Sequence, residues 1–340
     1  MKNIPKLNFA HLPTPVEVLP RLSAALGGPK IMVKRDDQTG LGLGGNKTRK
    51  LEYLMAEARA NGARSLITAG ADQSNHCRQT AAAAARHGFA CILVLTLPAG
   101  SDSPPDDATA SGNLLLDRLF GAEIVWAQRS ARQTVLQETF QTAWDAGKRP
   151  YLIPYGGSSA TGAAAYVFAM QELLSQQQDV DWVVFPSSSG GTQAGLVLGA
   201  RLFGFAGRVL GISVDEPADI LRPRVAKLAT ETADFLGESV VFQPDDILVN
   251  VDYLGGGYGV VGRPEIEAIE LFAQNEGLLL DPVYTGRAAA GLIGLIRDNF
   301  FSSQDTVLFW HTGGTPALFA DRYQGNLSEA GVVGFKPITS

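Results

Sequence analysis

Short apolar segments alternate with longer amphipathic segments along almost the whole chain, and this alternation predicts the fold. The apolar segments have the length of buried strands; they span 31–34, 65–71, 90–95, 123–126, 151–153, 182–186, 209–214 and 306–310. The amphipathic segments have the composition and length of helices; they span 48–61, 75–87, 108–120, 130–146, 161–176, 192–203, 264–276 and 286–298. Strands that alternate with helices form parallel sheets covered on both faces, so we predict a two-lobed α/β fold. The polar segment 100–107 predicts a surface loop near a cleft.

Composition and charge exclude several classes of partner. The chain has 28 Lys and Arg residues against 34 Asp and Glu residues, which gives a net charge of −6. Because no basic run occurs, we expect no nucleic-acid partner. No segment is apolar enough to span a membrane or to act as a secretion signal, so we expect no membrane partner. Cys77 and Cys91 are expected to be reduced thiols, which predicts a cytoplasmic protein, and we predict no metal site.

The position of Lys47 is the most informative feature of the sequence. In Gly44-Gly45-Asn46-Lys47, Asn46 is a natural N-cap and Lys47 falls in the first turn of the predicted helix. The positive end of the helix dipole opposes an ammonium group and makes the neutral amine easier to reach. A neutral amine is the form that attacks a carbonyl to make a Schiff base. The alternative is a solvated lysine on a frayed turn.

Two strand-to-helix loops carry further candidate chemistry. Residues 187–192 are small and open a helix, where converging amides suit a single phosphate; an ordinary flexible turn is the alternative. Residues 73–76 begin the next helix after the strand 65–71 and suit a substrate carboxylate, although Ser74 could simply be an N-cap. The G-x-G-x-x-G pattern at 40–45 lacks both the preceding strand and the acidic residue of a dinucleotide site, so we reject that interpretation.

Three later loops complete the set of candidates. Tyr258 lies among glycines, and Tyr284 precedes a helix; each is either a packing residue or part of a catalytic site. The segment 311–315 follows an apolar strand, and its glycines permit close approach of the backbone to a ring. None of these loops contributes an additional Arg.

Together these features describe a pyridoxal-phosphate (PLP) enzyme. The chain resembles the D-cysteine desulfhydrase and 1-aminocyclopropane-1-carboxylate deaminase group of the tryptophan-synthase-β-like, fold type II PLP enzymes. The resemblance covers nearly the whole length and depends on the segments 34–37, 44–52, 73–76, 280–284 and 311–314. It implies a homodimer, with a small domain at 48–158 inserted in a large PLP-binding domain formed by 1–47 and 159–340.

The resemblance also implies a role for each matching residue. Lys47 would bind PLP covalently and later move protons at Cα. Asn75 would bind the PLP phenolic oxygen, and Ser74 and His76 would lie with it at the substrate. The remaining residues implied for cofactor binding or catalysis are Ser189, Gly190, Gly191 and Thr192 at the phosphate, Thr312 at the ring, and the tyrosines Tyr258 and Tyr284.

One difference from the group narrows the reaction. The ring-opening deaminases carry a glutamate directly after the second tyrosine, where it can pair with the ring nitrogen of PLP. This chain has Thr285 there, so the resemblance implies Thr285 as a cofactor-binding residue and a neutral partner of that nitrogen. A neutral hydroxyl stabilises a protonated ring nitrogen less than a carboxylate does, which favours β-elimination over ring opening. We therefore predict a carbon–sulfur lyase that acts on a small amino acid, with D-cysteine as the first choice. L-cysteate, the cyclopropane amino acid and a non-catalytic PLP carrier stay open as alternatives, as do the preference for D or L and the identity of the Cα base.

Overall fold

Two twisted sheets form the framework of the protein. The computed structural model describes residues 1–98, 100–106, 110–177 and 179–328. The larger sheet contains β1 (Val16–Val18), β2 (Lys30–Arg35), β7 (Trp182–Ser187), β8 (Arg208–Ser213), β9 (Leu248–Asn250) and β10 (Thr306–His311). The smaller sheet contains β3 (Ser65–Ala71), β4 (Ala90–Thr96), β5 (Glu123–Ala127) and β6 (Pro150–Leu152).

The strand order is that of an open α/β fold. It is β1-β2-β10-β7-β8-β9 in the larger sheet and β5-β4-β3-β6 in the smaller one. All pairs are parallel except β1 with β2. The α-helices of the described chain are α1 (Pro20–Leu26), α2 (Asn46–Ala60), α3 (Asn75–His87), α4 (Gly112–Leu119), α5 (Arg132–Asp145), α6 (Ala160–Ser175), α7 (Gly191–Phe203), α8 (Ala218–Leu236), α9 (Arg263–Glu276), α10 (Thr285–Arg297) and α11 (Asp321–Ser328).

Helices cover both faces of each sheet, as the alternating pattern predicts. Along the central strand β10, Leu308 and Trp310 belong to a core shared with α6, α7 and α8. Val307 and Phe309, which point to the opposite face, pack with α9 and α10. Each such fully buried large apolar side chain stabilises the fold by about 1.5–3 kcal/mol. The predicted α/β fold class is confirmed.

Most predicted elements are present within a few residues of their expected bounds. The strand 65–71 and the helix 75–87 have the predicted bounds. The first two residues of the predicted helix 108–120, and part of the predicted loop 100–107, lie outside the described residues. Helix α8 was missed; Pro223 lies inside it, and proline usually interrupts a helical pattern.

The prediction that Asn46 caps α2 is wrong. Gly45 is the N-cap, and its φ of +129° is a backbone conformation that other residues rarely adopt. Asn46 is the first helical residue, and its Nδ2 donates to Thr192 Oγ1 at 3.1 Å. The amide is therefore used to connect the starts of two helices rather than to cap its own.

The two sheets draw on different parts of the chain. The strands of the smaller sheet lie between 65 and 152, whereas the larger sheet takes strands from both sides of that segment. The exact domain boundaries after residues 47 and 158 stay a prediction. Among the described residues, no helix combines the length and the apolar character needed to cross a bilayer.

Candidate active site

A cavity at the carboxyl ends of β3, β7 and β10 brings together most of the residues predicted from sequence. The predicted residues that line it are Lys47, Ser74, Asn75, His76, Ser189, Gly190, Thr192, Tyr284 and Thr312. In α/β proteins this edge of the sheet is where ligands bind. Gly191, Tyr258 and Thr285 do not line it.

Lys47 is in the first turn of α2 and forms a buried pair with Lys50, one helical turn further on. Burial lowers the pKa of Lys47 to about 8, and the hydrogen bond with Lys50 acts in the opposite direction. Burial, followed by the neighbouring Lys47, holds the pKa of Lys50 well below its usual range. Neither amine has a carboxylate partner among the described residues. This pair is therefore suited to an anionic ligand.

Lys50 was not identified from sequence, although its spacing of three residues from Lys47 places both on one helix face. Its Nζ donates to the backbone oxygen of Gly156 at 3.2 Å. This contact holds the amine beside the loop between β7 and α7. A Cβ on Gly191 would lie 3.0 Å from the same Nζ.

The start of α7 has the features of a phosphate site. The Gly191 N–H donates to Ser158 Oγ at 3.1 Å, and Ser158 Oγ donates to Ser189 Oγ at 2.8 Å. Gly190 adopts a φ of +86°, so the chain turns sharply into the helix. Helix amides, two hydroxyls and the Lys50 amine, which has no carboxylate partner among the described residues, thus converge on one place, and this donor set fits the phosphate of PLP. Ser158 was not predicted.

Ser74 and Asn75 begin α3 at the opposite side of the cavity. Ser74 Oγ accepts the N–H of Cys77 at 3.2 Å, so Ser74 does cap the helix. Asn75 Oδ1 accepts a hydrogen bond from Asn113 Nδ2 at 2.9 Å. The role as N-cap does not exclude a second role, because Ser74 also lines the cavity.

His76 is buried beside the cavity that it lines. Burial, and then the charge of Lys47, lowers the pKa of His76 well below its usual range. Its Nε2 lies 3.0 Å from Thr68 Oγ1, and the single hydroxyl hydrogen of Thr68 goes to the backbone oxygen of Ile153. His76 Nε2 must therefore carry the proton in this contact, which leaves Nδ1 as an acceptor.

The two predicted tyrosines form a hydroxyl pair. Tyr258 OH and Tyr284 OH are 2.9 Å apart, and their rings meet edge to face. Burial raises the pKa of both hydroxyls well above the usual range, so both carry their protons at neutral pH. Tyr284 lines the cavity, and Tyr258 lines an adjoining one of about 890 Å³. Tyr155 lines both cavities and was not found from sequence, since a lone loop tyrosine carries no local signal.

Thr285 is fully buried behind Tyr284. Its hydroxyl donates to Asp281 Oδ1 at 2.7 Å and accepts the Asp281 N–H at the same distance. The structure thus uses this side chain to hold the turn before α10. The neighbouring strand end contributes Thr312 to the cavity instead.

Arginines from outside the predicted loops lie around the adjoining cavity. They are Arg129, Arg132, Arg224 and Arg322. Arg322 pairs with Asp72 at 2.9 Å and Arg224 pairs with Glu216 at 2.8 Å. The guanidinium of Arg132 lies 4.7 Å from the ring centre of Tyr155 and has no carboxylate partner among the described residues. The predicted loops contain no extra Arg, but the folded chain supplies them from elsewhere.

Comparison with known proteins identifies the family of the chain. Residues 7–313 match the family described as pyridoxal-phosphate dependent enzyme, and the chain belongs to that family. It is 43% identical to D-cysteine desulfhydrase from Salmonella typhimurium, over 94% of this chain and 97% of the relative. The Salmonella typhi protein of the same description gives the same values.

Solved structures give the same fold. A crystal structure described as an ACC deaminase homologue superimposes with a TM-score of 0.86 at 36% identity, covering 96% of both chains. A fungal L-serine ammonia-lyase from Rhizomucor miehei, at 16% identity and a TM-score of 0.66, shares the fold. The predicted dependence on PLP is confirmed, whereas the roles of the individual residues stay predictions.

Proposed function

We propose that the protein is a carbon–sulfur lyase that converts D-cysteine and water to pyruvate, hydrogen sulfide and ammonia. The observation that carries the proposal is the buried amine of Lys47, which shares one cavity with Tyr284 and with Ser74 and Asn75. The D-cysteine desulfhydrases at 43% identity support the choice of substrate.

Different residues of the chain would bind different parts of PLP. When bound, PLP supplies an electron-withdrawing ring that takes up the charge left at Cα. Lys50, Ser158, Ser189 and the amides at the start of α7 would hold its phosphate. Lys47 would hold it covalently, because an amine with a lowered pKa is readily neutral and nucleophilic. Asn75 and Thr312 would contact the ring.

The same residues would handle the substrate. Ser74 and the amides at the start of α3 would bind its carboxylate. Lys47, once released by the substrate amine, is a candidate to move the Cα proton, with Tyr284 as the other candidate. The Tyr258–Tyr284 pair retains its protons at neutral pH and could protonate the leaving sulfur. Breaking the Cβ–S bond leaves the three-carbon fragment, which water converts to pyruvate and ammonia.

L-cysteate is a second candidate substrate, favoured by Arg132 in the adjoining cavity. A guanidinium without a carboxylate partner among the described residues suits a sulfonate leaving as sulfite. Pyruvate release from D-cysteine and L-cysteate by wild type and by Arg132→Gln separates the two. Selective loss of the cysteate reaction in the variant would support the second candidate, and parallel changes would contradict it.

Pyruvate assays with purified PLP-loaded protein test the main proposal. We expect pyruvate and sulfide from D-cysteine, and none from Lys47→Ala. A yellow protein that yields no pyruvate from D-cysteine, L-cysteine or L-cysteate would instead support a PLP carrier. Release of 2-oxobutyrate from the cyclopropane amino acid would contradict the argument based on Thr285.

We also propose a homodimer located in the cytoplasm. Leu43, Leu119 and Phe319 are at least 60% exposed, which is consistent with a surface that a second copy covers. Both cysteines are buried and unpaired, as in a reducing compartment. Sedimentation of the PLP-loaded protein tests the assembly, and a monomer at micromolar concentration would contradict it.

A further inference from the structure

Asn113 holds Asn75 from behind without lining the cavity itself. It lies in the first turn of α4, and its side chain is completely buried. Its Nδ2 donates to Asn75 Oδ1 and to the backbone oxygen of Gln73, each at 2.9 Å. Its backbone N–H donates to Gln73 Oε1 at 2.8 Å. Three hydrogen bonds therefore join Asn113 to the loop that carries the candidate substrate and cofactor contacts.

These contacts fix the orientation of both amides. The oxygen and nitrogen of an amide have nearly the same shape, so only their partners distinguish the two orientations. The backbone oxygen of Gln73 can only accept, which requires the NH2 of Asn113 to face it. The second hydrogen of that NH2 then faces Asn75, whose facing atom must be its oxygen. Asn75 consequently turns its NH2 to the other side, where no described residue accepts its hydrogens.

The arrangement has a cost that packing alone does not explain. Asn113 Oδ1 is buried and has no hydrogen-bond partner among the described residues. A buried acceptor without a partner destabilises the folded state, and an apolar side chain of similar size would avoid this. The benefit of an amide at this position is its NH2 group, which among the described residues donates to Gln73 and Asn75 alone.

We propose that Asn113 is a positioning residue that locks the Asn75 amide with its NH2 towards bound PLP, as a donor to an anionic oxygen of the cofactor. The inference rests on the proposed role of Asn75 in binding PLP. A hydrogen-bond donor stabilises an anionic oxygen, whereas the reversed amide would present its own oxygen and repel it. Asn113 thus selects between an attractive and a repulsive contact.

Two substitutions test the proposal. Asn113→Leu removes the NH2 at similar volume, and Asn113→Asp replaces it by an acceptor of the same size, which should turn the Asn75 amide round. For both we expect PLP to rebind cofactor-stripped protein at least about 10-fold more weakly, as judged by fluorescence titration. The visible band of lysine-bound PLP should titrate at higher pH. Without the Asn75 donor, the anionic ring oxygen is less stabilised and therefore holds a neighbouring proton more strongly. If the Leu variant folds poorly, the Asp variant gives the same test.

Ser111→Ala is the matched control. Ser111 lies directly before α4, and its Oγ accepts the Asp321 N–H at 3.0 Å without contacting Asn75. Ser111→Ala should leave the PLP dissociation constant and the titration of the visible band unchanged.

A double-mutant cycle with Asn75→Ala separates positioning from general stability. The effect of Asn113→Leu should disappear in the Asn75→Ala background. An equal effect in both backgrounds, or wild-type PLP binding by the Asn113 variants, would overturn the proposal. Wild-type behaviour of Asn75→Ala itself would overturn it together with the role of Asn75. Neither readout requires turnover, so absence of pyruvate from D-cysteine would refute only the proposed reaction.

Discussion

Replacing Lys47 by methionine should stabilise the cofactor-free protein, because it removes an amine that is buried without a carboxylate partner. Burial lowers the pKa of Lys47 from 10.5 to about 8. A tenfold change in an acid constant corresponds to about 1.4 kcal/mol. In the folded protein, the protonated Lys47 side chain therefore lowers the free energy of unfolding at pH 7 by about 3 kcal/mol relative to methionine, which is neutral and of similar volume.

The lowered pKa of Lys47 predicts how the stability difference between Lys47→Met and wild type changes with pH. Below pH 8 the amine is protonated in both folded and unfolded chains, so the whole destabilisation is present. Between pH 8 and 10.5 the unfolded chain binds more protons than the folded one, and wild-type stability rises with pH. The advantage of Lys47→Met should therefore be largest at pH 7 and nearly absent above pH 10.5.

Urea unfolding of cofactor-stripped protein at pH 7 and pH 10.5 measures this difference. Lys227→Met is the control, since its amine is 78% exposed on α8 and should change stability by less than about 0.5 kcal/mol at either pH. The reasoning is refuted if Lys47→Met is no more stable than wild type at pH 7, or if its advantage is the same at pH 10.5.

Three further substitutions test separate parts of the site. Tyr258→Phe removes the hydroxyl 2.9 Å from Tyr284; kcat for pyruvate formation should fall about 10-fold or more with the PLP band retained, and unchanged kcat would exclude a catalytic role for the Tyr258 hydroxyl. Asp72→Asn breaks the ion pair with Arg322; urea unfolding should show a loss of about 1–3 kcal/mol, whereas unchanged stability would mean that the pair contributes nothing. Gly191→Ala places a Cβ 2.6 Å from Ser158 Oγ at the candidate phosphate site; PLP should bind about 10-fold more weakly by fluorescence titration, and an unchanged dissociation constant would argue against phosphate binding there.

Local signals in the sequence were sufficient for the elements that frame the cavity. The strand 65–71 and the helix 75–87 follow from an apolar run, a run of alanines and a glycine stop, all of which act within a few residues. Lys47 was recognised because its position in a helix turn is itself local. The dependence on PLP followed from the order of several motifs, each of which is weak alone.

Contacts between distant residues could not be derived in this way. Asn113 meets Asn75 across 38 residues, and Lys50 meets the backbone of Gly156 across 106. Neither contact leaves a periodic or compositional trace, because it depends on how α4 and the loop after β6 pack against the smaller sheet. The orientation of the Asn75 amide, and hence whether it donates or accepts, is a property of that packing.

The sequence by itself determined the α/β fold, the cofactor and the lysine that is proposed to bind it, because periodicity, position within a helix turn and loop composition are properties of short segments. The tertiary structure decided the surroundings of that lysine. It placed Lys50 beside the phosphate loop, buried Thr285 against Asp281 and brought Arg132 to the adjoining cavity. The physical reason is that burial and pairing depend on neighbours from the whole chain, and these set the pKa of Lys47 and the charge available to a substrate.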